Sequence, residues 1–143
     1  MNFLSEYTLE YAAFVVRLIA GILYLMQGYD KVFRIGLKET MHTAAEALRP
    51  SRLPSGMVRL MTAIISLTEL TGGFMLVIGF AIVPSCYILL GCLVPVTLAM
   101  TMREPLWTAQ TIWARLVLLL FLLLIPVTAH IISIDYLLNL YAK

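Results

Sequence analysis

The chain has 143 residues, 62% of them hydrophobic and 13% charged, with a net charge of +2 and a mean hydropathy of +0.95. Soluble domains run at about 45–50% apolar and 25% charged residues, so a water-exposed globule of this length has no means of hiding so much apolar surface. The near-balanced charge says little about partners by itself; its placement along the chain says more.

Four apolar runs fill most of the sequence, roughly Ala12 to Gly28, Met61 to Val83, Cys86 to Met100 and Ile112 to Ile132. A hydrocarbon core about 30 Å thick takes roughly 20 apolar residues at 1.5 Å each. The runs therefore predict an all-α fold, a four-helix transmembrane bundle with a short interfacial helix between helices 1 and 2. Four spans and short connections make a single integral membrane domain over residues 1–143. The N-terminal stretch before Arg17 carries Glu6 and Glu10 but no Lys or Arg, and no small-residue cleavage site follows. A secretory leader has a basic start and such a site, so the first span is expected to be retained.

Along the first span, Arg17, Gly21, Tyr24, Gly28 and Lys31 recur at intervals of four and three, which places them on one helix face with Gln27 at its border. The connection that follows is the longest and the most basic, with Lys31, Arg34, Lys38, Arg49, Arg52 and Arg59. Within it, Ile35, Met41, Ala44, Ala45 and Leu48 alternate with charged residues, which predicts an amphipathic helix at the membrane surface. Lys31, Arg34, Lys38, Arg49 and Arg52 are candidates for contact with lipid head groups or a partner. Pro50 and Pro54 end that helix, and Ser55-Gly56 leads into the second span.

The second span carries Thr62, Ser66, Glu69 and Gly73 on one face, again at intervals of four and three. A carboxylate near the middle of a span is costly unless paired or wetted, as is the guanidinium of Arg17 two turns inside the first. Both are expected to face inward and to meet across a helix interface, directly or through water. Arg17, Tyr24, Gln27, Glu69 and His130 are the candidate site for a lipid or quinone head group. The same charges would also serve simply to fix helix register.

Gly79 and Pro84 mark a tight, uncharged turn between the second and third spans, which makes those helices antiparallel neighbours. Cys86 and Cys92 lie about 600° and 9 Å apart on one helix and do not face each other, so buried structural thiols are expected. Pro95 and Pro126 each kink or end a helix. Trp107 and Trp113 flank the third connection, and Tyr136 and Tyr141 follow the fourth span, as interfacial aromatic belts do. Basic residues crowd the first connection and recur at Arg103 in the third. By the positive-inside rule both connections are cytoplasmic and both termini lie outside.

No haem or metal centre is expected. His42 and His130 fall on opposite sides of the membrane, and no His or Cys pair has ligand spacing. No nucleotide-binding loop, nucleophile motif or nucleic-acid patch is present, and no catalytic residue stands out. No cofactor is expected in the isolated chain, beyond bound lipid or quinone.

The segments RLIAGILYLMQGYDKVF and TELTGGFMLVIGF, within Val16 to Phe80, resemble the DoxX family of small four-helix membrane proteins. The resemblance lies in an early Arg, a Gly, a polar residue–Gly–x–x–Lys exit from helix 1, and a Glu-Leu-x-Gly-Gly second helix. Gln27 stands where a His is frequent in that family. Members include a small subunit of a thiosulfate:quinone oxidoreductase and membrane partners of thiol-redox and oxidative-stress proteins. The resemblance thus implies an inner-membrane protein, of bacterial type, that works beside other membrane-complex subunits in redox metabolism. Three functions follow as expectations. The first is a non-catalytic membrane subunit with an intramembrane site for lipid or quinone. The second is a subunit of a quinone-reducing oxidoreductase that itself handles quinone, and the third is a small transporter.

Overall fold

The computed structural model describes residues 8–51, 53–103, 110–126 and 133–138. All the regular structure among them is helical. Helix α1 spans Thr8–Tyr29 and runs on through a wider turn, Asp30–Arg34; α2 spans Leu37–Ala47, α3 Ser55–Ile78, α4 Ile82–Thr101, α5 Gln110–Leu124 and the short α6 Ile134–Leu137. Among the described residues, three stretches are long and apolar enough to cross a membrane: Thr8–Arg34, α3 and α4. The described part of the fourth apolar run, Ile112–Leu124, is shorter, and α5 ends two residues before Pro126, where a proline disfavours the helical conformation of the residue ahead of it. Pro95, by contrast, lies inside α4.

Helix α1 packs antiparallel on α3, and this is the most extensive contact in the molecule. Glycines bring the two backbones together. A Cβ at Gly28 would collide with the backbone of Leu70, one at Gly73 with the backbone of Leu25, and one at Gly21 would lie 2.8 Å from Val77. Small residues permit this approach where lipid supplies no hydrophobic drive between helices and close packing must hold them together. The core beside the seam is built from Ala20, Tyr24, Leu76, Ile82, Cys86, Leu89, Leu119 and Leu122, which joins α1, α3, α4 and α5. Exposed Ile19, Ile22, Met26, Ile64, Phe74, Val94 and Leu124 cover the outer faces, the reverse of a soluble bundle and as lipid contact demands.

The turn from α3 to α4 is as short as the sequence predicts. Gly79 takes the left-handed conformation (φ 72°) and closes α3, with the Phe80 N–H returning to the Met75 carbonyl at 2.9 Å. Ala81 follows at φ 48°, an unusual conformation for a residue with a Cβ.

The amphipathic helix expected between the first two spans is α2. Its small apolar face does not lie free for lipid, because Ala44, Ala45 and Leu48 pack on Val58 of α3 and Ala99 of α4. Ile35, expected on the same face, is 57% exposed instead. Gly36 (φ 93°) turns the chain between the end of α1 and the start of α2, which gives Ile35 a direction unrelated to the α2 stripe.

Gly73→Val should destabilise the fold by about 2 kcal/mol or more, since the α1 backbone leaves no room for it. Gly91→Val on α4 is the control, because nothing lies within 4 Å of a Cβ there. Thermal unfolding of the two purified variants in one detergent checks the contrast, and equal melting temperatures would contradict the packing.

Candidate functional site

The register of α1 on α3 decides where each buried charge finds its partner. Gly21 meets Val77 and Gly28 meets Leu70, so the next inward residue of the α1 stripe, Lys31, falls opposite Glu69. The Lys31 ammonium donates to Glu69 Oε2 at 2.5 Å. The Glu69 side chain is 3% exposed and that of Lys31 is 23%, so the pair is sealed on the Glu69 side and partly open on the other. Glu69 stands about 21 Å along α3 from Ser55 and about 14 Å from Ile78. The charged pair therefore lies in the middle part of a helix that can cross a membrane, at the point where α1 ends and α2 takes over the packing on α3.

Arg17 does not meet Glu69, contrary to the expectation from their inward faces. Its guanidinium lies against Gly79, ten residues beyond Glu69 on the same strand of structure, or about 15 Å of helix rise away. There it stands over the Phe14 ring at 5.5 Å and within electrostatic reach of Asp135. Shared inward orientation left the register open, and the glycine contacts settle it in favour of Lys31.

Asp135 is the functional-looking group that the sequence reading missed. Only 1% of it is exposed, and its two carboxylate oxygens accept from the Ala81 N–H at 2.7 Å and the Ile82 N–H at 2.9 Å. It thus caps α4 from a distant part of the chain, while its own N–H donates to the Gly79 carbonyl at 3.0 Å. Ser133-x-Asp135 opening a short helix is a capping pattern that was readable, since the Ser133 hydroxyl accepts from the Tyr136 N–H. That the carboxylate caps another helix was not.

Near the Lys31–Glu69 pair lie two polar groups whose bonding is incomplete among the described residues. Tyr24 is 2% exposed, and its hydroxyl has no hydrogen-bond partner among the described residues; the same holds for the buried side-chain oxygen of Gln27. Arg115, Glu69, Cys86 and Cys92 all lie within electrostatic reach of the Tyr24 hydroxyl, and the Arg115 guanidinium stands 5.9 Å from the ring centre. Cys92 also bonds the Thr68 side chain and feels Glu69 and Lys31. Both cysteines are free thiols. Thr62 and Ser66, which share the Glu69 face, turn their hydroxyls back to the Val58 and Thr62 carbonyls at 2.8 and 2.7 Å. They are satisfied within α3 and leave Glu69 as the group that reaches across.

The structure thus unites Tyr24, Gln27 and Glu69 of the predicted site, adds Lys31, Cys92 and Arg115, and sends Arg17 elsewhere. His130 and Arg52 lie outside the described residues, as do Trp107 and Tyr141. Of the basic residues assigned to surface contact, Arg34 pairs with Asp30 at 3.6 Å and Arg49 with Glu46 at 3.5 Å, both exposed; Lys38 is exposed. Among the described residues no group of three or more His, Cys, Asp or Glu could hold a metal ion.

The glycine seam, the Lys at the exit of α1 and the Glu in α3 coincide with the part of the chain that matches a family model, DoxX, over residues 12–102. The chain belongs to the DoxX family. It is an integral membrane protein with apolar spanning helices. No curated protein and no solved structure matches this DoxX chain. The matched region holds the α1–α3 seam, the Lys31–Glu69 pair and Cys92, whereas Arg115 and Asp135 lie beyond it.

A double-mutant cycle tests the pairing. Lys31→Met and Glu69→Gln should each cost about 3–5 kcal/mol, because each leaves the other charge buried alone, and the double variant should recover much of that loss. Arg17→Met combined with Glu69→Gln should be additive within about 0.5 kcal/mol, as for groups farther apart than about 10 Å. Coupling between Arg17 and Glu69, with none between Lys31 and Glu69, would refute the register.

Proposed function

We propose that this DoxX chain is a non-catalytic, four-span membrane subunit of a larger inner-membrane assembly of redox type, with a site inside the bundle for the polar head of an amphiphilic ligand, lipid or quinone. One observation carries the site: among the described residues, the Tyr24 hydroxyl and the Gln27 side-chain oxygen are buried without a partner beside a charged pair. Buried polar groups in native proteins are nearly always hydrogen-bonded, and two neighbouring orphans one turn apart on α1 leave room for a ligand that completes them. A carbonyl or hydroxyl on an apolar body has that chemistry.

The subunit role rests on the scarcity of catalytic groups in a small bundle and on the basic segment from Asp30 to Arg59. The packing of Ala45 and Leu48 onto α3 and α4 narrows any docking surface there to the outward face of α2, with Lys38 and His42, and to exposed Ile35 and Phe33. On the positive-inside reading this surface faces the cytoplasm and both termini face the periplasm. A second reading, that the chain itself handles quinone, is favoured by the free thiol of Cys92 and the Lys31–Glu69 pair standing beside the orphaned groups.

Purification from native membranes in mild detergent separates the two. Under the subunit reading other membrane proteins accompany the chain, and Ile35→Ser with Phe33→Ser reduces their recovery several-fold while insertion is normal. Bound quinone with intrinsic quinone reduction and no accompanying protein would replace it by the second reading. Reporter fusions in the loop at Pro54 should be active only in a cytoplasmic format, and periplasmic activity would invert the topology.

A further inference from the structure

The contacts at the inner end of α1 fix the depth of α2. Gly28 lies against Leu70, so the Lys31 backbone, one turn further on, comes level with Leu67. The Thr40 hydroxyl donates to the Lys31 carbonyl at 3.0 Å, and Ala45 and Leu48 pack on Val58 and Ala99. A helix rises about 12 Å from Thr40 to Leu48 and about 13 Å from Val58 to Leu67. Helix α2 therefore runs alongside α3 and antiparallel to it, instead of lying flat at the membrane surface.

Two kinds of surface share that depth. On α3 and α4, Leu60, Ile64, Leu67, Val94 and Leu98 are exposed, as lipid contact demands. On α2 and the turn after it, Lys38, Glu39, His42, Glu46 and Arg49 are exposed. Lysine and arginine can stretch toward an interface, but the shorter acidic side chains cannot follow, and a carboxylate facing lipid is costly. Among the described residues Lys38, Glu39 and His42 have no ion pair or side-chain hydrogen bond, and Arg49 and Glu46 meet only each other, at 3.5 Å.

These charges stand in two rows. At about 100° per residue, Lys38 and Arg49 fall on one edge of the exposed face, Glu39 and Glu46 on the other, and His42 between them. A two-fold axis along the membrane normal sets two copies of α2 side by side and parallel. It brings the basic edge of each copy against the acidic edge of the other, with Lys38 near the depth of Glu39 and Arg49 near that of Glu46. An antiparallel pair would set like charges together; the flanking charge rows of coiled coils select orientation in the same way. Two copies inserted with one topology have the parallel arrangement open to them.

We infer that the outward face of α2 binds a second copy of this chain, α2 against α2 about a two-fold axis along the membrane normal, with His42 nearest the axis. This inference rests on the reading that this face docks a partner, and it names the partner. The pairing gives every charge of the face an opposite charge and takes Glu39 and Glu46 away from lipid.

Copper-catalysed oxidation of native membranes tests it. The chain with His42→Cys should form a disulfide-linked dimer. Wild type, with its free Cys86 and Cys92, should not, and neither should Ile64→Cys, exposed at a similar depth on α3. In the His42→Cys chain, Lys38→Glu and Glu39→Lys should each lower the crosslinked fraction about fivefold or more, because like charges then face each other. Co-expression of those two chains under different tags should restore the crosslink between them, since one copy then carries two acidic residues and the other two basic ones. No dimer with His42→Cys, an equal dimer with Ile64→Cys, or no restoration on co-expression would overturn the pairing. Other membrane proteins accompanying a chain that gives no dimer would leave the subunit reading standing and remove the second copy. A dimer that purifies alone would keep the second copy and remove the larger assembly.

Discussion

The close approach of α1 to α3 is the constraint on which the other features of the molecule depend. At Gly28 and Gly73 each backbone touches the other so nearly that no side chain can intervene. A seam of this kind has one register, because sliding by a residue would push Leu25 or Leu70 into a backbone. Once the seam is set, Lys31 lies opposite Glu69, Arg17 lies at the α3–α4 turn, and Tyr24 points into the space shared with α4 and α5. The charges do not choose the register; they occupy the places that it gives them. This agrees with the general weakness of buried ion pairs as sources of net stability and with their strength as penalties against misalignment.

Much of this was legible in the sequence. The apolar runs, the glycine at Gly79 and the amphipathic stretch that became α2 follow from hydropathy and helical periodicity. The stripe Arg17–Gly21–Tyr24–Gly28–Lys31 and the stripe holding Glu69 and Gly73 also emerged from spacing. What spacing does not carry is how far one stripe is shifted against the other. Two candidate cations, Arg17 and Lys31, stood on the same face, and the choice between them needed the contacts of Gly21 and Gly28. Arg115 reads with Arg103 as a basic residue of the third connection, just inside the fourth span, because a charge near the start of an apolar run looks interfacial until the helix opposite is known. Asp135 escaped because its role is made by a turn more than fifty residues earlier. The covering of Ala45 and Leu48 was likewise hidden, since an amphipathic helix pattern has the same periodicity whether it meets lipid or protein.

The distribution of polar groups divides the bundle into two centres with different character. Near the α3–α4 turn, Asp135 has both carboxylate oxygens accepting from backbone N–H groups, and Arg17 packs against Gly79; this end is closed by hydrogen bonds. In the middle, the phenol of Tyr24 and the amide oxygen of Gln27 stand unfulfilled around a short ion pair.

The Asp135 cap also ties a strained turn to a distant part of the sequence. Ala81 is held in a left-handed conformation that an alanine adopts only at a cost of about 1–2 kcal/mol, and its N–H and that of Ile82 have their partner in a residue made much later. While the ribosome is still producing α4 and α5, the α3–α4 hairpin has its turn strained and two donors open. The α3–α4 turn thus depends for both of these capping hydrogen bonds on a side chain more than fifty residues later in the sequence.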